Sequence, residues 1–154
     1  MSLTYDEMLD THDSLKRTGD YVGGKAEAYR RMAAARERIV FLGCGSSYCL
    51  SESAARMTVM HLGRPAVALA GGDVLVHREA YATVFDKALV VTISRSGSTS
   101  EIVYALEKMR ELADFDVVSI NCVEGSPLSK AGVLALDMPW ASLPACAKPG
   151  APPV

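Results

Sequence analysis

The stretch Ala88-Leu89-Val90-Val91-Thr92-Ile93-Ser94-Arg95-Ser96-Gly97-Ser98-Thr99-Ser100-Glu101 constrains this chain more than any other part of it. Its first six residues are almost all apolar and do not alternate with polar ones. That pattern suits a strand covered on both faces of a parallel sheet. From Glu101 onward, Ile102, Ala105, Leu106, Met109 and Leu112 recur at helical spacing, so a helix follows. Ser98 and Glu101 stand three residues apart as a capping box, which predicts the helix start. Strand and helix are joined by hydroxyl side chains, one arginine and one glycine. Free backbone N–H groups, the positive end of a helix dipole and short hydroxyl donors then meet at one point. Such a junction suits an anion, and a phosphate in particular.

The first half repeats the arrangement. Arg38 to Leu42 reads as a buried strand, Gly43-Cys44-Gly45-Ser46-Ser47 as a small-residue turn, and Tyr48 to His61 as a helix. A G-x-G after a strand can open a dinucleotide fingerprint, but position 48 is Tyr rather than the third Gly. The following strand, Ala66 to Ala70, also closes without an acidic residue. Gly71-Gly72 leads to a short helix around Asp73 to Tyr81. Asp116 to Asn121 and Val133 to Leu136 complete five expected strands, with a short helix from Pro127 to Ala131 between them. Ahead of the first strand, two helices are expected. One runs from Thr4 (a capping box with Glu7) to Tyr21 and stops at Gly23-Gly24, and a second runs from Lys25 to Arg36.

Alternating strands and helices call for an α/β fold with a doubly wound parallel sheet and right-handed crossovers. Ligands bind such sheets at the strands' carboxyl ends, where strand order reverses. Both hydroxyl-rich turns follow strand ends, so both belong on that edge.

Bulk properties narrow the function. A length of 154 residues fits one domain with a substantial core, and 49% hydrophobic with 22% charged residues is a globular composition. A net charge of -2 argues against an electrostatic nucleic-acid binder. No apolar stretch approaches the roughly 20 residues that span a bilayer, and the N-terminus lacks signal-peptide character, so a cytoplasmic protein is expected. Cys44, Cys49, Cys122 and Cys146 form no CxxC pair, and the histidines His12, His61 and His77 are scattered. No metal site is expected, and the cysteines read as reduced, Cys44 and Cys122 as small hydrophobes at strand ends.

Gly43-Cys44-Gly45-Ser46-Ser47-Tyr48, Ser94-Arg95-Ser96-Gly97-Ser98-Thr99, and Asn121 with Gly125-Ser126-Pro127-Leu128 together resemble the sugar-isomerase (SIS) domain family. The resemblance covers about residues 25 to 138. It is greatest to the isomerase half of glucosamine-6-phosphate synthase and to the tagatose-6-phosphate ketose/aldose isomerase group. It implies a three-layer α/β/α, flavodoxin-like domain with a five-stranded parallel sheet, a sugar phosphate as ligand, no cofactor and a homodimer. Residues 1–36 would be helices packed on the domain, 37–140 the domain itself, and 141–154 an irregular tail. The family's phosphate loop falls on Ser94, Arg95, Ser96 and Thr99, and its sugar-contacting turn on Ser46 and Ser47. With the turn glycines Gly45 and Gly97 these make the candidate ligand-binding set. The family often has Gln where this chain has Arg95, and commonly Glu where it has Ser98. Helix capping is the alternative reading of the serines.

After the last strand the resemblance ends. The tail from Ser142 has four prolines in its last eleven residues and no periodicity. The relatives that the resemblance names carry two tandem domains, and the expectation is a truncated half of such a protein, as a frameshift would produce. Their catalytic carboxylate, His and Lys lie beyond the first domain, so no residue here inherits those roles. Glu101 reads as a cap and His77 as a helix-surface residue. An isomerase or aminosugar enzyme is the leading expectation, and a non-catalytic phosphosugar-sensing domain the alternative. The segment before the first strand is too short and too weakly basic for a helix-turn-helix unit. A remnant that oligomerises without binding ligand is the third reading.

Overall fold

Each strand of the sheet buries alternate residues on opposite faces, and the helices are distributed accordingly. The computed structural model describes the backbone of residues 3–141 and the side chains of residues 10–141. In chain order the elements are α1 (Leu3–Ala34), β1 (Arg38–Gly43), α2 (Ser46–Leu62), β2 (Ala66–Ala70), α3 (Gly71–Val76) and α4 (Arg78–Phe85). They continue with β3 (Ala88–Ser94), α5 (Ser100–Met109), β4 (Phe115–Asn121), α6 (Pro127–Ala131) and β5 (Leu134–Asp137), ending in a 3-10 turn at Pro139–Ala141. The five strands are all parallel, in the order β2-β1-β3-β4-β5. The expected α/β sheet is therefore present, covered by helices on both faces.

One core layer holds Val40, Leu42, Val90 and Val117 from the strands, with Phe85, Ile102, Leu106 and Met109 from α4 and α5. The other holds Ile39, Phe41, Leu89, Val91 and Val118, covered by Ala33 of α1 and Ala55 of α2. β3 sits at the centre and is buried along almost its whole length, which explains why its sequence shows no alternation. Strand order reverses between β1 and β3, the neighbours at the middle of the sheet. Their carboxyl ends, Gly43 and Ser94, open into the two turns that the sequence singles out.

Several boundaries differ from expectation. α1 is one continuous helix of 32 residues, not two helices broken at Gly23-Gly24. Packing overrides the glycine penalty on both sides of the pair. Tyr29, Met32 and Ala33 join the core, while Tyr21 meets the Trp140 ring edge-on at 5.1 Å. Arg17 lies 4.3 Å over the same indole, and Trp140 Nε1 donates to Thr18 Oγ1 at 3.0 Å. The expected helix around Asp73 to Tyr81 is two helices, α3 and α4, separated by His77 at φ -113° and ψ 35°. α2 begins at Ser46 rather than Tyr48, α5 ends at Met109 rather than near Leu112, and β5 begins at Leu134 rather than Val133. The Thr4–Glu7 capping box and the tail from Ser142 fall outside the described side chains and residues.

Because a Cβ at Gly23 or Gly24 meets nothing within 4 Å, alanine at both should stabilise the helix. The gain expected is about 0.5–1 kcal/mol per site, read as a raised urea midpoint. A helix break at this pair would instead make the double substitution neutral or destabilising.

Candidate functional site

The first turn is set by close packing. A Cβ at Gly43 would lie 2.6 Å from the carbonyl carbon and oxygen of Ser47 and 2.8 Å from Ser51 Oγ, so only glycine lets the chain fold back here. Gly45 is the N-cap of α2, and Ser46 and Ser47 are its first residues. Ser51 Oγ donates to the Ser47 carbonyl at 2.9 Å, fixing the first turn of the helix. Ser46 is exposed and Ser47 half-buried at the edge of the sheet.

The second turn is wired internally. Ser94, almost fully buried, accepts from the Gly97 N–H at 3.1 Å and shares a 2.9 Å hydrogen bond with Thr99 Oγ1. Ser96 Oγ accepts from the Ser98 N–H at 3.3 Å. Thr99 is the N-cap of α5. The expected Ser98–Glu101 capping box does not form, because the helix starts one residue later and the Thr99 hydroxyl is engaged with Ser94. Arg95 and Ser96 are exposed on the rim.

A third segment braces this loop from behind. Gly97 has φ +61°, a left-handed conformation, and a Cβ there would lie 2.1 Å from Ser126 Oγ. The Cys122 N–H donates to the Arg95 carbonyl and the Leu128 N–H to the Gly97 carbonyl, both at 3.0 Å. With these carbonyls turned back to the protein, the loop is held against β4 and α6. Ser126 caps α6 by accepting from the Ser129 N–H at 3.2 Å, with Pro127 opening the helix. Asn121 Nδ2 donates to Ser129 Oγ and to Asp137 Oδ1, both at 3.1 Å, and Ser129 Oγ donates to the same Asp137 oxygen at 2.7 Å. Sequence reasoning flagged Asn121 and Gly125 to Leu128 but gave them no role, and it missed Ser129 and Asp137. Their signal was a serine one turn after a Ser-Pro cap, and an acid closing the last strand.

Between the turns lies a cleft of about 520 Å³, lined by Ser46, Ser47, Ser94, Arg95, Ser96, Ser98, Thr99 and Ser100. The structure thus brings six of the eight sequence-nominated residues onto one lining. Gly45 stands at the head of α2, and Gly97 is buried beneath the loop. Hydroxyls dominate the wall, and no carboxylate is on it. The N-termini of α2 and α5 both open at this edge, where their first N–H groups have no partner within the helix. The arrangement can hold an anion through donors and helix dipoles.

A family model for the SIS domain matches residues 32–143. The chain belongs to the SIS domain family. Solved structures share its fold at low identity. Tagatose-6-phosphate ketose/aldose isomerase from Escherichia coli superposes with a TM-score of 0.77 at 21% identity, over 90% of this chain and 40% of that one. The C-terminal domain of glucosamine-fructose-6-phosphate aminotransferase from Francisella tularensis gives 0.79 at 18%, over 92% and 40%. The sugar isomerase domain of the RpiR transcription factor from Sphaerobacter thermophilus gives 0.65 at 15%, over 85% and 74%. This SIS chain therefore spans about two fifths of the length of the first two structures. Among curated protein sequences, none matches it significantly. Among the described residues, no group of three or more His, Cys, Asp or Glu could hold a metal ion, and no helix is long and apolar enough to cross a membrane.

Two measurements test the bracing. Gly97→Ala should cost at least about 1–3 kcal/mol from its left-handed backbone alone, with the Ser126 clash added. Ser126→Gly in the same chain should recover the steric part and leave the backbone part, as a double-mutant cycle in urea would show. Burial pushes the Cys122 thiol up, with Arg95 opposing it weakly. Since the thiolate is the nucleophile, iodoacetamide at pH 8 should label Cys122 more slowly than the exposed Cys49, as read by peptide mass spectrometry.

Proposed function

We propose that this SIS domain binds a sugar phosphate. The Ser94–Thr99 turn and the N-terminus of α5 hold the phosphate, and Ser46 and Ser47 meet the sugar hydroxyls. One observation carries the reading. At the point where strand order reverses, two helix N-termini converge on a cleft walled by hydroxyls and one arginine, with no acid among its lining residues. Its volume is in the range of small-ligand sites, about 300–1,000 Å³. The family membership supports the same ligand class. The sequence resemblance extends the proposal to a hexose 6-phosphate, handled by an isomerase or aminosugar enzyme of which this chain is one half.

A second reading is favoured by the same wall. It contains no histidine, lysine or carboxylate, so the cleft as lined here has no group to move a proton between adjacent carbons. A phosphosugar-sensing domain needs none. The proposed homodimer draws on a different surface. Met57, Met60 and Leu62 of α2 lie exposed, and Val67 of the edge strand β2 is partly so. A second copy seated there would cover apolar area that a monomer leaves in water.

A thermal-shift titration with fructose 6-phosphate, glucosamine 6-phosphate, fructose and inorganic phosphate tests the binding reading. At about 100 times its dissociation constant a ligand adds about 2.7 kcal/mol of stability. Both phosphosugars should raise the melting temperature, fructose should not, and Ser94→Ala should abolish the effect. A shift with fructose equal to that with the phosphosugars, or none with any ligand, would overturn the reading. Interconversion of aldose and ketose phosphates, followed by NMR, then separates enzyme from sensor.

A further inference from the structure

Off the cleft wall, three polar side chains from α3, α4 and the joint between them are hydrogen-bonded together. His77 Nδ1 lies 2.9 Å from Asp73 Oδ1, and the Tyr81 hydroxyl donates to Asp73 Oδ2. These bonds hold the Asp73 carboxyl below the usual carboxylate range, Tyr81 contributing most and His77 next. The Tyr81 hydroxyl is pushed up by the same carboxylate. With Asp73 accepting a hydrogen bond from Nδ1–H, the neutral His77 ring keeps Nε2 as an acceptor, on a side chain 62% exposed. His77 is thus no ordinary helix-surface residue. It interrupts the helix, and its backbone N–H is tied to the Asp73 carbonyl at 2.9 Å.

The cluster belongs to the carboxyl edge of the sheet. α3 begins directly at the end of β2, and a Cβ at Gly71 would lie 2.9 Å from both Cys44 Sγ and Ile102 Cγ1. Cys44 is in the turn after β1, and Ile102 is in the first turn of α5, so the start of α3 is wedged between the two elements that build the cleft.

The two neighbouring regions have opposite hydrogen-bonding character. The cleft presents hydroxyl and N–H donors suited to an anion, whereas the cluster presents acceptors: the His77 Nε2 lone pair and the remaining lone pairs of Asp73. A sugar phosphate has the matching polarity, an anion at one end and O–H donors along its body. The geometry points to Asp73, His77 and Tyr81 as a second subsite that binds the sugar hydroxyls of a ligand whose phosphate occupies the Ser94–Thr99 turn. The assignment rests on the proposed phosphosugar reading and extends it to residues outside the cleft wall.

Isothermal titration of wild type, His77→Phe and Asp73→Asn with three probes tests it: inorganic phosphate, glycerol 3-phosphate and fructose 6-phosphate. The variants should bind fructose 6-phosphate at least five-fold more weakly, and should keep wild-type affinity for phosphate and for glycerol 3-phosphate, a three-carbon ester with only two hydroxyls. Retained phosphate binding also shows that the variants are folded. Wild-type affinity of both variants for fructose 6-phosphate overturns the subsite and leaves the phosphosugar reading intact. An equal loss for all three probes also overturns it, since the cluster would then act on the phosphate turn itself. Failure of wild type to bind any probe removes the phosphosugar reading, and the subsite with it.

Discussion

The carboxyl edge of this molecule depends on a methyl group that is missing at residue 97. Gly97 takes a left-handed backbone and presses its α-carbon against Ser126, so the Ser94–Thr99 turn and the β4–α6 segment approach more closely than any side chain would allow. That approach lets the Leu128 N–H reach the Gly97 carbonyl and the Cys122 N–H reach the Arg95 carbonyl. The turn is then shaped by contacts from outside as well as by its own Ser94–Thr99 hydrogen bond. The proposed binding loop, fixed in this way, would lose little conformational entropy when a ligand arrives.

Behind the turn, the polar network passes the constraint across the sheet. Ser126 caps α6 and shares a hydrogen bond with Ser129, Ser129 donates to Asp137, and Asn121 donates to both. Asn121 stands opposite Ser94 on β3 and opposite Asp137 on β5 in the strand register. The ends of β4 and β5 are thereby coupled through side chains, at the level where β3 ends. The ladder fixes strand positions, and these hydrogen bonds convert them into the position of a loop.

Much of this was legible in the sequence because it follows from pattern. The unbroken apolar run at Ala88 to Ile93 requires cover on both faces, and hydroxyls after two such strands must share an edge if the sheet is parallel. What was not legible came from contacts between distant residues. Gly23-Gly24 reads locally as a stop, yet Trp140 docks on Tyr21 and Thr18 more than a hundred residues away and helps keep α1 whole. Ser98 and Glu101 have capping-box spacing, but Ser94 engages the Thr99 hydroxyl and the helix starts at Ser100. Spacing within a window identifies elements well. It does not show which of two adjacent hydroxyls a buried serine will choose.

The division of chemistry along this edge has a consequence for activity. Hydroxyls and helix N-termini stabilise an anion without changing their own protonation, and these are the groups that line the cleft. Where α3 leaves the sheet, the titratable groups Asp73 and His77 are tied to each other, and Asp73 to Tyr81. A ligand anchored by its phosphate would present its carbons away from the hydroxyl wall, toward those groups or toward whatever surface covers the cleft. Residues that touch the phosphate should therefore govern affinity for every phosphorylated compound alike. In the proposed reading, discrimination among sugars falls to Ser46 and Ser47 at the other side of the cleft and to residues beyond its wall.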